Sequence, residues 1–271
     1  MLPYKAPTQD FEFLLRDVFD MDAFWAGMEG TQQFTVDDAL AIYDEAARFV
    51  SNTLLPLNRT GDEEGCHLED DGVKTPKGWA DAYRQYCANG WQGMPASTDY
   101  GGQGFPKTLS LGAEEMLMTV NPSFALYHFL TAGTIVLLTE HGDEYIRSTY
   151  LPPLAQGRWV GTMCMTEAQS GTDLGLIKTG AEALKDGTYR ITGSKIFISG
   201  GDHDMAENHC HLVLAKLPDA PAGSRGISLF LVPKFIPNTD GSLGERNAVS
   251  VGSIEKKMGM KANATCVMNF D

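Results

Sequence analysis

The apolar residues of this 271-residue chain change their spacing once, near Arg158, and that change limits the folds open to it. Before it they recur every three or four positions, the period of a helix with one buried face. After it they alternate in short runs, the period of a half-buried strand. Thr35, with Asp38 three residues on, reads as a capping box, and Val36, Leu40, Tyr43, Ala47, Val50 and Leu54 continue a helix that Pro56 should end. A second helix runs through Trp79, Tyr83 and Tyr86 to Asn89-Gly90, and a third from Pro106 to Asn121-Pro122. A fourth holds residues 124–138, and a short fifth spans 143–150, ahead of Leu151-Pro152-Pro153-Leu154. Beyond Arg158 the β-branched and aromatic runs are 188–192, 195–198, 211–217, 227–232, 249–254 and 265–270, divided by Gly, Asp, Asn and Pro. The expectation is an α+β multidomain chain: an all-α helical domain over residues 1–157, then an antiparallel β-barrel or sandwich domain over 158–271.

Charge divides at the same place. Residues 1–157 hold 9 Lys and Arg against 23 Asp and Glu, and residues 158–271 hold 12 of each, so the first part carries the whole net charge of −14. Nucleic acid and anionic membranes need a dense basic patch, so neither is an expected partner. The start, Met1-Leu2-Pro3-Tyr4-Lys5, has no basic stretch leading into an apolar run, so no secretory signal is expected. The apolar stretch 124–138 is interrupted by His128, Thr131, Gly133 and Thr134, and reads as a buried helix too short to span a bilayer. Five scattered cysteines without a C-x-x-C fit reduced thiols and a cytoplasmic chain. The final run, 265–270, reads as a strand that stops without a turn, as in a fragment of a longer protein.

Two segments bring polar groups to strand ends. Thr166-Glu167-Ala168-Gln169-Ser170-Gly171-Thr172-Asp173 follows the apolar run 160–165. A strand feeding such a loop exposes hydroxyls and backbone N–H groups together, which suits a polar, partly anionic ligand or simply makes a hydroxyl-rich turn. Gly193-Ser194-Lys195-Ile196-Phe197-Ile198-Ser199-Gly200 is an alternating strand in which Phe197 could lie on a planar ring and Ser199 bond its edge, or a plain hairpin strand.

Taken together, and with Met163-Cys164-Met165 before the first segment, these resemble the flavin-binding signatures of the acyl-CoA dehydrogenase family. The loop 95–104, with Tyr100-Gly101-Gly102-Gln103-Gly104, the run Tyr150-Leu151-Pro152-Pro153-Leu154 with Gly157, and Glu255-Lys256-Lys257-Met258-Gly259-Met260 resemble further family segments in the same order. Ala168, Thr172, Phe197 and Ser199 stand where the family usually has Pro, Ser, Trp and Thr, keeping hydroxyl for hydroxyl and aromatic for aromatic at the last three. The opening Tyr4-Lys5-Ala6-Pro7 through Phe13-Leu14-Leu15, the loop 217–226 and the insert 237–253 resemble the branch containing 3-(methylthio)propanoyl-CoA dehydrogenases.

The resemblance implies an FAD-dependent α,β-dehydrogenation of an acyl-CoA thioester. Met163, Met165 and Thr166 would meet the isoalloxazine ring, with Thr166 as hydrogen-bond donor. Thr172 would meet flavin phosphate or the CoA arm of the substrate. Phe197 would shield one ring face and Ser199 bond near the hydride-accepting nitrogen, with Gly171 and Ile198 completing the cofactor set. It implies no catalytic residue in this chain, because the family's general-base glutamate lies in a C-terminal helical bundle; Glu255, on a turn, is no substitute. It also implies an electron-transfer flavoprotein as acceptor and a homodimer or homotetramer. Two other readings share these residues: an acyl-CoA oxidase that reduces O2, and a non-catalytic flavoprotein of the same fold.

Other patterns have plainer readings. His209-Cys210-His211, with His203, Asp202 and Asp204 nearby, puts two imidazoles on one side of a strand, but no metal is expected there. Asp62-Glu63-Glu64 and Glu69-Asp70-Asp71 read as a solvated acidic loop rather than a calcium loop. Gly101-Gly102-Gln103-Gly104 lacks the strand–helix context of a dinucleotide fingerprint.

Overall fold

The computed structural model describes residues 4–271. Helices α1 (Thr8–Phe13) and α2 (Met21–Gly27) flank a π turn over Leu14–Val18, a region with no predicted element. Phe11, Leu15, Met21 and Trp25 are its buried side. Helix α3 (Val36–Phe49) starts as its sequence requires: Thr35 Oγ1 accepts from Asp38 N at 3.2 Å, and Asp38 Oδ2 accepts from Thr35 N at 2.9 Å. The stop expected at Pro56 does not occur. A π turn over Val50–Leu54 carries the chain into α4 (Leu55–Glu64), with Pro56 in the first turn. A first-turn residue has no intrahelical partner for its N–H, so proline is tolerated there. Asp62-Glu63-Glu64 therefore ends a helix rather than lying in an acidic loop, and a short hairpin of β1 (His67–Glu69) and β2 (Gly72–Lys74) follows.

Helices α5 (Trp79–Ala88), α6 (Lys107–Val120) and α7 (Pro122–His141) lie where the periodicity put them. Asn121 caps α7 by accepting from Phe124 N, and donates to Leu54 O at 3.2 Å. Helix α8 (Glu144–Ala155) overrides its prolines, continuing through Pro152 and Pro153. Leu151, Leu154 and Ala155 are buried on the same cluster as Trp159, and tertiary packing of this kind outweighs helix propensity. Helix α7 is 20 residues long, and an 18-residue stretch of it has a mean hydropathy of 1.3, long and apolar enough to cross a membrane, which corrects the length expected from residues 124–138. Half of that stretch is buried inside the fold, where α7 packs against α6, α8 and the first long strand, β3 (Trp159–Cys164).

The remaining strands are β4 (Gly180–Ala183), β5 (Tyr189–Ser199), β6 (Asn208–Lys216), β7 (Ile227–Pro233), β8 (Phe235–Pro237), β9 (Leu243–Arg246), β10 (Val249–Ile254) and β11 (Thr265–Phe270). Seven of the strands form one sheet in the order β10-β11-β5-β4-β6-β3, with β7 on β6, and β8 and β9 pair separately. The runs 188–192 and 195–198 are one strand, β5. The sheet is mixed rather than wholly antiparallel: β3 runs parallel to β6, from Trp159↔Asn208 to Cys164↔Val213. The long connection through β4 and β5 makes that crossover possible. It also explains why β6 is buried along almost its whole length instead of alternating.

The seam between helices and sheet is polar and close. Thr131 Oγ1 accepts from Gly161 N at 3.2 Å, and a Cβ on Gly161 would lie 2.0 Å from Thr134 Oγ1, so only glycine fits. Tyr127 OH donates to Ala262 O and accepts from Ala264 N, and Asn263 Nδ2 donates to Ser123 O.

A hydroxyl-bearing cradle at the ends of β3 and β5

The loop after β3 is organised by one carboxylate. Glu167 is buried, and its Oε1 accepts from Lys195 Nζ (2.9 Å), Thr179 Oγ1 (2.6 Å) and Thr179 N (3.0 Å). Its Oε2 accepts from Lys178 N at 2.8 Å and from the Gln169 amide. Burial pushes the Glu167 pKa up, but the bonds from Thr179, Lys178 and Lys195 outweigh it and hold the carboxyl down at about 2. Lys195 is fully buried in β5, and its Nζ also donates to Met165 O at 3.1 Å. Ile196 N donates to Thr166 O at 2.9 Å. The loop that begins at Met165 is thus fastened to β5 through both side chain and backbone.

Beside this anchor β5 is bulged. Lys195 pairs with Met268 and Ile198 with Cys266, so two residues of β5 face one of β11. Phe197 takes φ +60 and is 58% exposed. A left-handed aromatic costs of order 1–3 kcal/mol, and such strain collects at functional sites. The bulge lets Lys195 and Ile198, an odd number of residues apart, both face inward while Phe197 faces out.

The structure brings the predicted residues together unevenly. Thr166 and Ser199 are half-buried, on the two backbones that meet at Ile196, and Gly171 and Thr172 lie exposed on the loop. Met163 and Met165 are half-buried at the strand end. The Ile198 side chain sits in the sheet core with Cys164 and Cys266, so its place in the expected cofactor set would be through its backbone. The set is neutral, and its hydroxyls can both donate and accept, which fits the mixed donor and acceptor edge of a flat heterocycle. Phe197, held outward, fits its face.

Spacing gave no role to Glu167, Thr179 or Lys195. The available signal was a lysine in the inward register of an apolar strand, a position almost never taken without a buried partner.

The histidines form a separate cluster. His203, His209 and His211 are all buried, with ring centroids of His203 and His209 4.4 Å apart and the rings of His209 and His211 stacked at 6.2 Å. Burial pushes His203 and His211 down to about 4, and holds His209 well below the ordinary imidazole value. Asp202 Oδ1 lies 2.6 Å from Lys234 Nζ and 3.7 Å from His209 Nδ1, while Asp204 accepts from Thr75. Among the described residues no three His, Cys, Asp or Glu side chains converge as metal ligands would.

Comparison with known proteins covers both parts of the chain. Residues 36–158 match the family described as acyl-CoA dehydrogenase, N-terminal domain, and residues 162–271 match acyl-CoA dehydrogenase, middle domain. The chain is 40% identical, over its whole length, to 3-methylmercaptopropionyl-CoA dehydrogenase of Ruegeria pomeroyi, and spans 46% of that protein. A chain in the structure of the electron transferring flavoprotein of Acidaminococcus fermentans superposes with a TM-score of 0.68 at 26% identity, over 89% of this chain and 56% of that one. The acyl-CoA dehydrogenase of Bacillus anthracis complexed with FAD gives 0.69 at 24% identity, over 89% of this chain and 36% of that one.

Proposed function

Because the chain belongs to the acyl-CoA dehydrogenase family, carrying its N-terminal and middle domains, we propose that it forms the flavin-side half of an FAD-dependent acyl-CoA dehydrogenase. The observation that carries this reading is the Glu167–Lys195 anchor, which fixes the Thr166 backbone to β5 and so gives the two hydroxyl-bearing edges one rigid frame. Preorganised first contacts of this kind need support from behind. FAD supplies hydride acceptance when bound.

The residues of the chain then have distinct tasks. Thr166 and Ser199 hydrogen-bond the ring edge, Met163 and Met165 pack beside it, and Phe197 covers one face and keeps water from it. Gly171 and Thr172, on the exposed loop, take phosphate or the CoA arm. The proton is removed from the substrate by a carboxylate outside this chain. The substrate is a short acyl-CoA; the resemblance to a dehydrogenase acting on 3-methylmercaptopropionyl-CoA supports a tail of that size. An electron-transfer flavoprotein as acceptor is supported by the likeness to a chain of such an assembly.

Thr166→Val in the enzyme that contains this chain tests the reading. Loss of one hydrogen bond should lower flavin affinity by about 1–3 kcal/mol. The measurement is flavin occupancy by absorbance, with the rate of bleaching by acyl-CoA. Unchanged values for both would reject the role of Thr166.

A further inference from the structure

Between the β1–β2 hairpin and the large sheet lies a cavity of about 170 Å3. At roughly 30 Å3 for each water-sized group, it has room for about six heavy atoms. Its two walls carry opposite charge. The hairpin contributes Glu69, Asp70 and Asp71, and the sheet side contributes Lys234, just after β7, and Arg246, the last residue of β9. Gly72 sets how closely the hairpin seats. Its φ is +132, and a Cβ there would lie 2.7 Å from Asp202 Oδ2. The cavity is separate from the flavin cradle: Ser199 ends β5, and the chain passes through Gly200 and Gly201 before Asp202 joins the cavity wall.

The opposite charges do not pair across the cavity. Asp71 pairs with Lys74 inside the hairpin at 2.8 Å, and Lys234 pairs with Asp202 on the sheet side at 2.6 Å. Among the described residues, Asp70 and Arg246 line the cavity without an ion pair of their own. The Lys234 ammonium keeps two N–H groups beyond the one it gives to Asp202. His211 lines the cavity as well and is 0% exposed. Its Nδ1 lies 2.7 Å from Thr162 Oγ1, on β3 and outside the cavity. Nε2, the ring nitrogen further from the backbone, has no partner. A buried polar atom left unpaired is costly, and native proteins rarely keep one without a use.

We propose that this cavity binds a small zwitterion, a carboxylate and an ammonium group joined by a short carbon chain. The carboxylate is held by Arg246, by the free N–H groups of Lys234 and by His211 Nε2. The ammonium is held by Asp70 on the hairpin wall. In this arrangement Thr162 donates its hydroxyl hydrogen to Nδ1, so the ring proton of His211 sits on Nε2 and points to the carboxylate. A molecule with only one of the two charges satisfies one wall and leaves the other unpaired. The site needs neither flavin nor thioester, so it stands apart from the dehydrogenase reading.

The test uses the enzyme that contains this chain and saturation-transfer NMR with three probes: glycine, β-alanine and 4-aminobutyrate. Each is compared with the carboxylate and the amine of the same length that lack the other group; for β-alanine these are propionate and propylammonium. The tightest of the three zwitterions should bind at least about tenfold more strongly than either of its one-charge counterparts, the scale of one charge-assisted hydrogen bond. Arg246→Gln should weaken that zwitterion about tenfold and leave its amine counterpart unchanged. Asp70→Asn should weaken it by a similar factor and leave its carboxylate counterpart unchanged. Both residues are exposed, so unchanged melting temperatures should accompany these losses. Binding of a carboxylate alone as strong as that of the zwitterion would make this an anion site, and the same result for an amine a cation site. Either result, no binding of any zwitterion, or variants that weaken all probes alike would overturn the proposal.

Discussion

Each half of the molecule buries one glutamate against a lysine, and the two pairs are built differently. In the helical half Glu114 accepts from Lys107 and Ser110 on its own helix, with His128 of α7 at 3.8 Å, and the Lys107 side chain is 54% exposed. In the sheet Glu167 joins three separate stretches of chain, and Lys195 is fully buried. Burial raises both carboxyls, and polar neighbours, His128 and Lys107 in one case and Thr179, Lys178 and Lys195 in the other, bring both down to about 2. The helices are held by apolar spacing, and Glu114 adds to a structure that packing already specifies. The sheet loop buries little apolar surface besides Ile177, and Glu167 ties its two ends to β5.

The largest expected effect follows from that contrast. Glu167→Gln leaves Lys195 charged and buried without a counterion and should cost about 3–5 kcal/mol. Glu114→Gln, whose lysine can turn into water, should cost about 1–3 kcal/mol. Denaturant midpoints of the two variants measure the gap, and equal losses would break the comparison. Acid should separate the halves next. Three buried histidines, His209 and His211 in β6 and His203 in the loop before it, stay neutral in the folded chain, while in the unfolded chain they take protons near 6.5. The unfolded state therefore binds more protons as pH falls from 6.5 toward 4, and each of these histidines withdraws up to about 1.4 kcal/mol of stability for every pH step of one across that window. The two glutamates contribute stability above their ordinary value of 4.5 that is lost between 4.5 and about 2. Hydrogen exchange at falling pH should show strand amides opening before those of α3 and α6; simultaneous opening would count against it.

Gly161→Ala probes the seam where the halves meet. Its Cβ would overlap Thr134 Oγ1, and overpacking at such a site costs about 1–3 kcal/mol; a melting temperature within error of the parent would show that the seam yields. The smallest effect is a gain. Phe197→Gly should relieve the left-handed backbone and stabilise the chain by about 1 kcal/mol while weakening flavin binding in the complete enzyme. Calorimetry and flavin titration read the two sides, and a loss of stability would mean the bulge is unstrained.

What could be read in advance follows the same division. The capping box at Thr35 and the helix through Trp79, Tyr83 and Tyr86 are local patterns, and local patterns survive folding. Pro56, Pro152 and Pro153 misled because a π turn or buried neighbours can absorb a proline, and neither is visible in spacing. Short strands such as β1, β4 and β9, of three or four residues, carry too little alternation to be seen. Of the cradle, Thr166, Thr172, Phe197 and Ser199 stood out through their motifs, whereas the bulge at Phe197 depends on a backbone angle and the role of Glu167 on partners far along the chain. The inward direction of Ile198 follows from that same bulge.

The parallel pairing of β3 with β6 has a consequence for how the protein is made. On the ribosome the stretch from Trp159 to Cys164 emerges well before Asn208 to Val213, the segment that must cover its edge. Until then an apolar ribbon with open backbone groups waits beside already formed helices, and such non-local pairing is slow and prone to aggregation.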